Sequence, residues 1–235
     1  MEDSKWLRAI KAIIFDFDGT LAVLNIDFSD MREQVFRLMP QYGIREEWVT
    51  ERYLLEGIDE VCAILEKKNP SLAVQFHERA HQILHGVEME AAEKGRLFPG
   101  TEETLAWLRA SGLRVGIVTR NCEDAVRKVF PRIGDFCDVF ISRNSVTKVK
   151  PHPDHLTAVM KALKVSGEEA VMIGDHTIDI LSGKRVGMKT VGVLTGRTTR
   201  EEFEKAGADC VLKEVQEMQR LFGLEDWNKK AGIME

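Results

Sequence analysis

The sequence predicts an α/β protein: a mostly parallel sheet with helices on both faces, interrupted early by an inserted all-helical segment. Three observations carry this. A short apolar run, Ala12-Ile13-Ile14-Phe15, reads as a buried strand that ends abruptly in polar residues. From Arg114 onward, similar runs alternate with helical segments, and between the two regions strand signals vanish. Alternation of strand and helix demands crossover connections, and those make neighbouring strands parallel. The predicted division is an α/β core of residues 1–20 and 98–235, with residues 21–97 inserted between its first strand and the rest.

Taken in order, the strand at Ala12–Phe15 is followed by helical periodicity. Met31, Val35, Leu38 and Met39 share one face, and Ala73, Phe76, Ala80, Ile83, Leu84 and Val87 form a longer stripe; both read as helix packing. Pro40, Gly43, Gly57 and Asn69-Pro70 cut this region into roughly three or four helices. Residues Thr101 to Ala110 read as a helix with Thr101 as N-cap, Leu105 and Leu108 inward, and Gly112 beyond its end. Strands are expected at Arg114–Val118, Asp138–Ile141, Ala170–Ile173, Thr190–Leu194 and Cys210–Leu212, with a helix over about Asp154–Leu163. The tail from Glu225 to Glu235 is polar enough to fray.

Composition narrows the partners. With 44% hydrophobic and 30% charged residues among 235, the chain has material for a packed core and is not disordered. A net charge of -5 argues against nucleic acid or an acidic membrane surface as the main partner, while leaving room for an anionic metabolite in a locally basic cleft. The start Met1-Glu2-Asp3-Ser4-Lys5-Trp6 shows neither a basic leader nor a long apolar segment, so a cytoplasmic setting is expected. Cys62, Cys122, Cys137 and Cys210 are scattered, which predicts buried reduced thiols.

Polar residues placed just after apolar runs matter most, because open parallel sheets bind ligands beyond the carboxyl ends of their strands. Asp16 and Asp18 close the first strand; two residues apart on an extended chain, they can project to one side. Gly19 then permits a sharp turn. Thr119 follows the Val115–Val118 run, Asp175 follows Val171-Met172-Ile173-Gly174, and Lys150 sits in the stiff loop Lys150-Pro151-His152-Pro153-Asp154. Each has a bland alternative: Thr119 as a strand former, Lys150 as a solvated cation, Asp175 as a helix cap. Together, carboxylates at one focus call for a divalent cation, and hard oxygen donors suit Mg²⁺ rather than zinc. A hydroxyl and a lysine beside it would cradle the oxygens of a phosphoryl group.

Asp16-Phe17-Asp18-Gly19-Thr20, Thr119, Lys150 and Gly174-Asp175-His176-Thr177-Ile178-Asp179 stand in the order and at the strand ends found in the haloacid dehalogenase-like hydrolases. The chain resembles that superfamily's helical-cap phosphatases, including those like phosphoglycolate phosphatase. The resemblance implies a Rossmann-like core with residues 21–97 as a helical cap. It also implies a Mg²⁺-dependent phosphatase acting on a small phosphorylated metabolite through a covalent aspartyl-phosphate. Asp16 would be nucleophile and metal ligand; Asp18 would be general acid and base, binding the metal through its carbonyl. Thr119, Arg120 and Lys150 would hold the transferring group. Asp175 would ligate Mg²⁺, as would Asp179, directly or through water. Lys148 competes with Lys150, but the Lys-Pro-x-Pro-Asp context favours the latter. Leu21-Ala22-Val23-Leu24 departs from phosphoglycolate phosphatases, which usually carry an acidic or hydroxyl residue there, and this departure counts against that substrate without excluding it.

Other readings compete. Within the fold, a phosphosugar mutase would return the phosphoryl group to its substrate, and a phosphonatase would need a cap lysine, a job to which the sequence assigns none of Lys67, Lys68 and Lys94; Asp18 argues against a dehalogenase. A silent protein sensing a phosphorylated ligand is a different class. His77-Glu78-Arg79-Ala80-His81 has the local form of a zinc metallopeptidase. His85 extends the spacing, but His77 and His85 would lie about 12 Å apart along a helix and could not close on one ion.

Overall fold

The structure is a computed structural model that describes residues 5–222, so the expected fraying of Glu225–Glu235 lies outside the described residues. The strands are β1 (Ala12–Phe15), β2 (Ala22–Val23), β3 (Arg96–Leu97), β4 (Arg114–Val118), β5 (Val139–Ile141), β6 (Ala170–Gly174), β7 (Lys189–Val193) and β8 (Cys210–Leu212). The helices are α1 (Phe28–Phe36), α2 (Leu54–Glu66), α3 (Pro70–Glu93), α4 (Thr101–Ala110), α5 (Glu123–Val129), α6 (Ile133–Phe136), α7 (Pro153–Leu163), α8 (Thr177–Arg185), α9 (Arg200–Ala206) and α10 (Met218–Leu221). They form two compact units, residues 5–24 with 95–222, and residues 25–94.

The first unit is built on a six-stranded sheet in the order β5-β4-β1-β6-β7-β8, with every neighbouring pair parallel. Every residue of β1 and β6 is buried, which requires cover on both faces of the sheet. On one face Ala12, Ile14 and Met172 pack with Leu156, Val159 and Leu163 of α7, the apolar stripe that its 3.6-residue period provides. This is the α/β fold with parallel crossovers that the alternating pattern predicts.

Local departures have local causes. The region expected to be wholly helical opens and closes with strands: β2 and β3 pair antiparallel, Ala22 opposite Leu97 and Val23 opposite Arg96. Two residues per strand are too few to leave a periodic signal. Thr101 is not the N-cap of α4. Gly100 holds that position with φ +76°, while the Thr101 hydroxyl donates to the Leu21 carbonyl at 2.9 Å. Asp138 stands one residue before β5: its N–H donates to the Val115 carbonyl at 2.8 Å, while its carboxylate accepts the Val115 N–H at 2.7 Å and pairs with Arg109 at 3.1 Å. All four cysteines are free, but Cys62 and Cys210 are only half-buried.

In the second unit, α1 is capped by the Asp27 carboxylate, which accepts from Ser29 and Asp30, and α3 by the Asn69 side chain with Pro70 at its first position. Met31, Val35, Leu38 and Met39 are buried as their spacing predicts. The buried line of α3 is Ala73, Phe76, Ala80, Leu84, Glu88 and Ala92. Ile83 and Val87, expected in that stripe, are rotated to its flank and line a cleft with Gln34, Arg79 and Gln82. His77 and His85 are exposed and His81 half-buried, with the rings of His77 and His81 4.2 Å apart. Among the described residues, no helix is long and apolar enough to cross a membrane.

Candidate active site

The register of the central strands fixes where the acids emerge. Phe15 pairs with Ile117 on β4 and Ile173 on β6, so the next residue, Asp16, leaves the sheet between two neighbouring strand ends. Its N–H still donates to the Ile173 carbonyl at 2.8 Å, which holds the backbone while the side chain departs. The chain then turns back tightly: Leu21 and Ala22 donate to the Phe17 carbonyl at 2.8 and 3.0 Å, and Gly19 adopts φ +79°. Asp18 lies within this turn, and its carboxylate accepts the Leu24 N–H at 2.9 Å. Beyond β6, Asp175 precedes α8, but His176 is the cap of that helix: its ring accepts the Ile178 N–H, and Asp179 accepts the His176 N–H at 3.3 Å.

Four of these side chains meet. The Lys150 ammonium donates to Asp16 at 2.8 Å and to Asp179 at 2.6 Å, with Lys150 and Asp179 fully buried. Asp16, Asp175 and Asp179 each present an oxygen within 4.8 Å of the others, and Thr20 donates to Asp175 at 3.4 Å. Burial pushes the Asp16 carboxyl up to about 6; Lys150 opposes that shift and Asp179 adds to it. Asp175 is pushed up to about 8, by burial first and then by repulsion from Asp16, Asp179 and Asp18. Lys150 is held above the ordinary lysine range because its two carboxylate partners outweigh the cost of burying the ammonium. Lys148 is exposed, so of the two lysines only Lys150 reaches this cluster.

Thr119 and Arg120 follow β4. Thr119 is buried, its N–H donating to the Ile141 carbonyl at 3.1 Å and its hydroxyl accepting from the Asn121 N–H at 3.1 Å. The Arg120 guanidinium donates to the carbonyl of Lys150, whose peptide bond to Pro151 is cis. Arg143, also buried, donates to the Arg120 carbonyl at 3.1 Å.

Sequence reasoning missed three contributors. A Cβ on Gly196 would fall 2.0 Å from an Asp175 carboxylate oxygen, and one on Gly19 would fall 2.2 Å from that same oxygen, so bare backbone closes around the Asp175 carboxylate from two sides. Thr195 locks the second side in place by donating to the Gly19 carbonyl at 2.5 Å. His155 is fully buried and accepts the Lys150 N–H at 3.1 Å. The signal available for Gly196 was its place three residues past the end of β7; His155, five residues after Lys150, could be placed near the site from the sequence, but nothing there gave it a role.

The donor set fits a hard divalent cation. Three carboxylates face a single ammonium, two of them are raised by burial first and by their neighbours' charge after it, and every donor is oxygen. Among the described residues this is the one group of three or more such donors; His77, Glu78 and His81 form none.

Comparison with known proteins gives the family. The haloacid dehalogenase-like hydrolase family matches residues 13–193. The pyrophosphatase PpaX of Bacillus cereus is 28% identical over 224 residues, spanning 94% of this chain and 99% of its own. A phosphoglycolate phosphatase of Photorhabdus laumondii is 26% identical over 234 residues, spanning 94% and 96%. The crystal structure of a phosphatase from Thermococcus onnurineus superposes with a TM-score of 0.58 at 26% identity, covering 91% of this chain and 98% of that one. With the family model matching across the core, the chain belongs to the haloacid dehalogenase-like hydrolases, among their phosphatases.

Proposed function

We propose that the protein is a Mg²⁺-dependent phosphatase that hydrolyses a small phosphorylated metabolite in the cytoplasm through a phosphoryl-enzyme on Asp16. The observation that carries this reading is the buried Lys150 ammonium shared by Asp16 and Asp179, inside a carboxylate group that also includes Asp175. A carboxylate attacks a phosphate monoester poorly because both are anions. A cation held by Asp16, Asp175 and Asp179 would offset that repulsion. Lys150 keeps Asp16 oriented, and Thr119 and Arg120 complete the set proposed to hold the transferring group's oxygens.

In the first step an Asp16 oxygen bonds to phosphorus as the bond from phosphorus to the ester oxygen breaks, and Asp18 gives its proton to that departing oxygen. In the second, Asp18 takes a proton from water as the water oxygen bonds to phosphorus, and inorganic phosphate leaves with Asp16 restored. The Leu24 N–H holds one oxygen of the Asp18 carboxylate. Residues 25–94 are proposed as the cap that selects the substrate. Pyrophosphate and phosphoglycolate, named for the relatives, are the first compounds to try, although Leu21-Ala22-Val23-Leu24 lacks the acidic or hydroxyl residue expected for phosphoglycolate. The test is phosphate release from a panel of phosphorylated metabolites with Mg²⁺ and with a chelator. Release that requires Mg²⁺ supports the reading; release indifferent to the chelator, or none from any compound, overturns it.

A further inference from the structure

His155 lies on the first turn of α7, within the face that packs against the sheet, where an apolar residue would serve if filling space were the only need. Both of its ring nitrogens are engaged. Nδ1 accepts the backbone N–H of Lys150 at 3.1 Å, and Nε2 lies 3.4 Å from the Ile141 carbonyl at the end of β5. Because the peptide N–H can only donate, Nδ1 must be bare and the Nε2 proton then points to Ile141. Burial, followed by the nearby Lys150 charge, pushes His155 down to about 3, which keeps this arrangement neutral at ordinary pH.

The two contacts join separate strand ends. The same Ile141 carbonyl accepts the Thr119 N–H at 3.1 Å, so one chain of hydrogen bonds runs from Thr119 through Ile141 and His155 to the backbone of Lys150. On the other side of that residue, its carbonyl accepts from Arg120. A long lysine side chain has several rotatable bonds, and its tip is only as well placed as the backbone that carries it.

We propose that His155 is a positioning residue for Lys150: its ring ties the Lys150 backbone to the end of β5, so that the ammonium stays between Asp16 and Asp179. The inference rests on the phosphatase reading of this site, and it gives a role to a side chain that touches none of the proposed reacting atoms. The competing account is a buried histidine that merely satisfies its own polar atoms.

Substitution separates the two. Asn places its amide oxygen where Nδ1 stands, keeping an acceptor for Lys150; Gln places its amide where Nε2 stands, keeping the link to Ile141 only. Hydrogen exchange at the Lys150 amide, together with kcat and KM on p-nitrophenyl phosphate in Mg²⁺, is measured for His155→Asn, His155→Gln, His155→Leu, Lys150→Met and the His155→Leu/Lys150→Met double variant. His155→Leu and His155→Gln are expected to lose protection at the Lys150 amide and about tenfold or more in kcat, with His155→Asn nearer the wild type. In the Lys150→Met background, His155→Leu should add little, because its effect passes through the missing ammonium. Lost amide protection with kcat within about twofold of wild type, an Asn variant no better than Gln, or full multiplication of the two single effects would overturn the proposal. If the Leu variant does not fold, the Asn and Gln variants carry the comparison. A wild-type enzyme that releases no phosphate overturns the phosphatase reading itself, and that is seen before any variant is made.

Discussion

Lys150 and Asp179 form a 2.6 Å ion pair with neither residue reachable by solvent. A buried charge left without its partner is costly, so this pair constrains both ends of the site. Lys150→Met is expected to reduce kcat by about 100-fold or more, as loss of a charge aimed at a reacting phosphoryl group does. Asp179→Asn should raise the Mg²⁺ concentration for half-maximal activity by about 10–100-fold. Mg²⁺ titrations of activity check both; an unchanged half-saturation in Asp179→Asn would remove that residue from the metal site.

Asp16 and Asp18 should separate by chemistry. Asp16→Asn is expected to abolish turnover and any covalent phosphoenzyme, since an amide cannot form an acyl phosphate. Asp18→Asn cannot transfer a proton, so it should slow poor leaving groups most and spare an aryl phosphate. Rapid-quench mass spectrometry of the wild type locates the phosphoryl group. Phosphate mapped to Asp18 or to a histidine, with Asp16→Asn still active, would mean that the nucleophile has been misassigned.

The raised acids link stability to pH and metal. Asp16 near 6 and Asp175 near 8 both stand above the ordinary value of 3.8, so the folded state favours their protonated forms. Their stabilising contribution is complete below about pH 4 and is lost as pH rises through about 6 and then 8. Mg²⁺ binds the deprotonated set and should restore what is lost, so the Mg²⁺-induced rise in Tm is expected to be larger at pH 8.5 than at pH 5.5. Thermal melts in chelator and in Mg²⁺ check this, and Asp175→Asn should shrink the difference. A metal-induced shift that is flat or falls with pH would contradict the linkage.

Gly196 is a sensitive position outside the charged residues. The added methyl of Gly196→Ala would meet the Asp175 carboxylate at 2.0 Å, whereas a methyl at Gly134 meets nothing within 4 Å. Gly196→Ala is expected to weaken Mg²⁺ binding by about 10–100-fold through a displaced Asp175, with Gly134→Ala unchanged. Isothermal titration with Mg²⁺ gives the answer, and equal affinities in the two variants would contradict the close approach.

The centre of the sheet was legible because its strands are short, wholly buried and therefore continuously apolar, as at Ala12–Phe15 and Ala170–Gly174. Asp16, Thr119 and Asp175 could be read as strand-end residues for the same reason. What the chain could not disclose depends on distance in space. Gly196 matters through an aspartate far from it in sequence, and a lone histidine such as His155 shows its purpose only once both nitrogens have partners. The β2–β3 pairing leaves no period to detect. The Ile83 and Val87 flank was misread because one helical stripe admits neighbouring registers; a buried Glu88 occupies the line where Val87 was expected.

The β2–β3 ribbon has a consequence for how such a protein can be remade. The chain leaves the first unit after Leu24 and rejoins it at Gly95, and the ladder between Val23 and Arg96 holds those two crossings about 5 Å apart. Residues 25–94 thus leave and rejoin the first unit at neighbouring points of the chain, so a replacement need only bring its own ends together. Recombination could exchange such segments wholesale while the sheet and its acids stay intact. The splice points matter, however: cutting at Asn25 and Lys94 preserves the Leu24 N–H that holds Asp18, and cutting at residues 21 and 97 discards it.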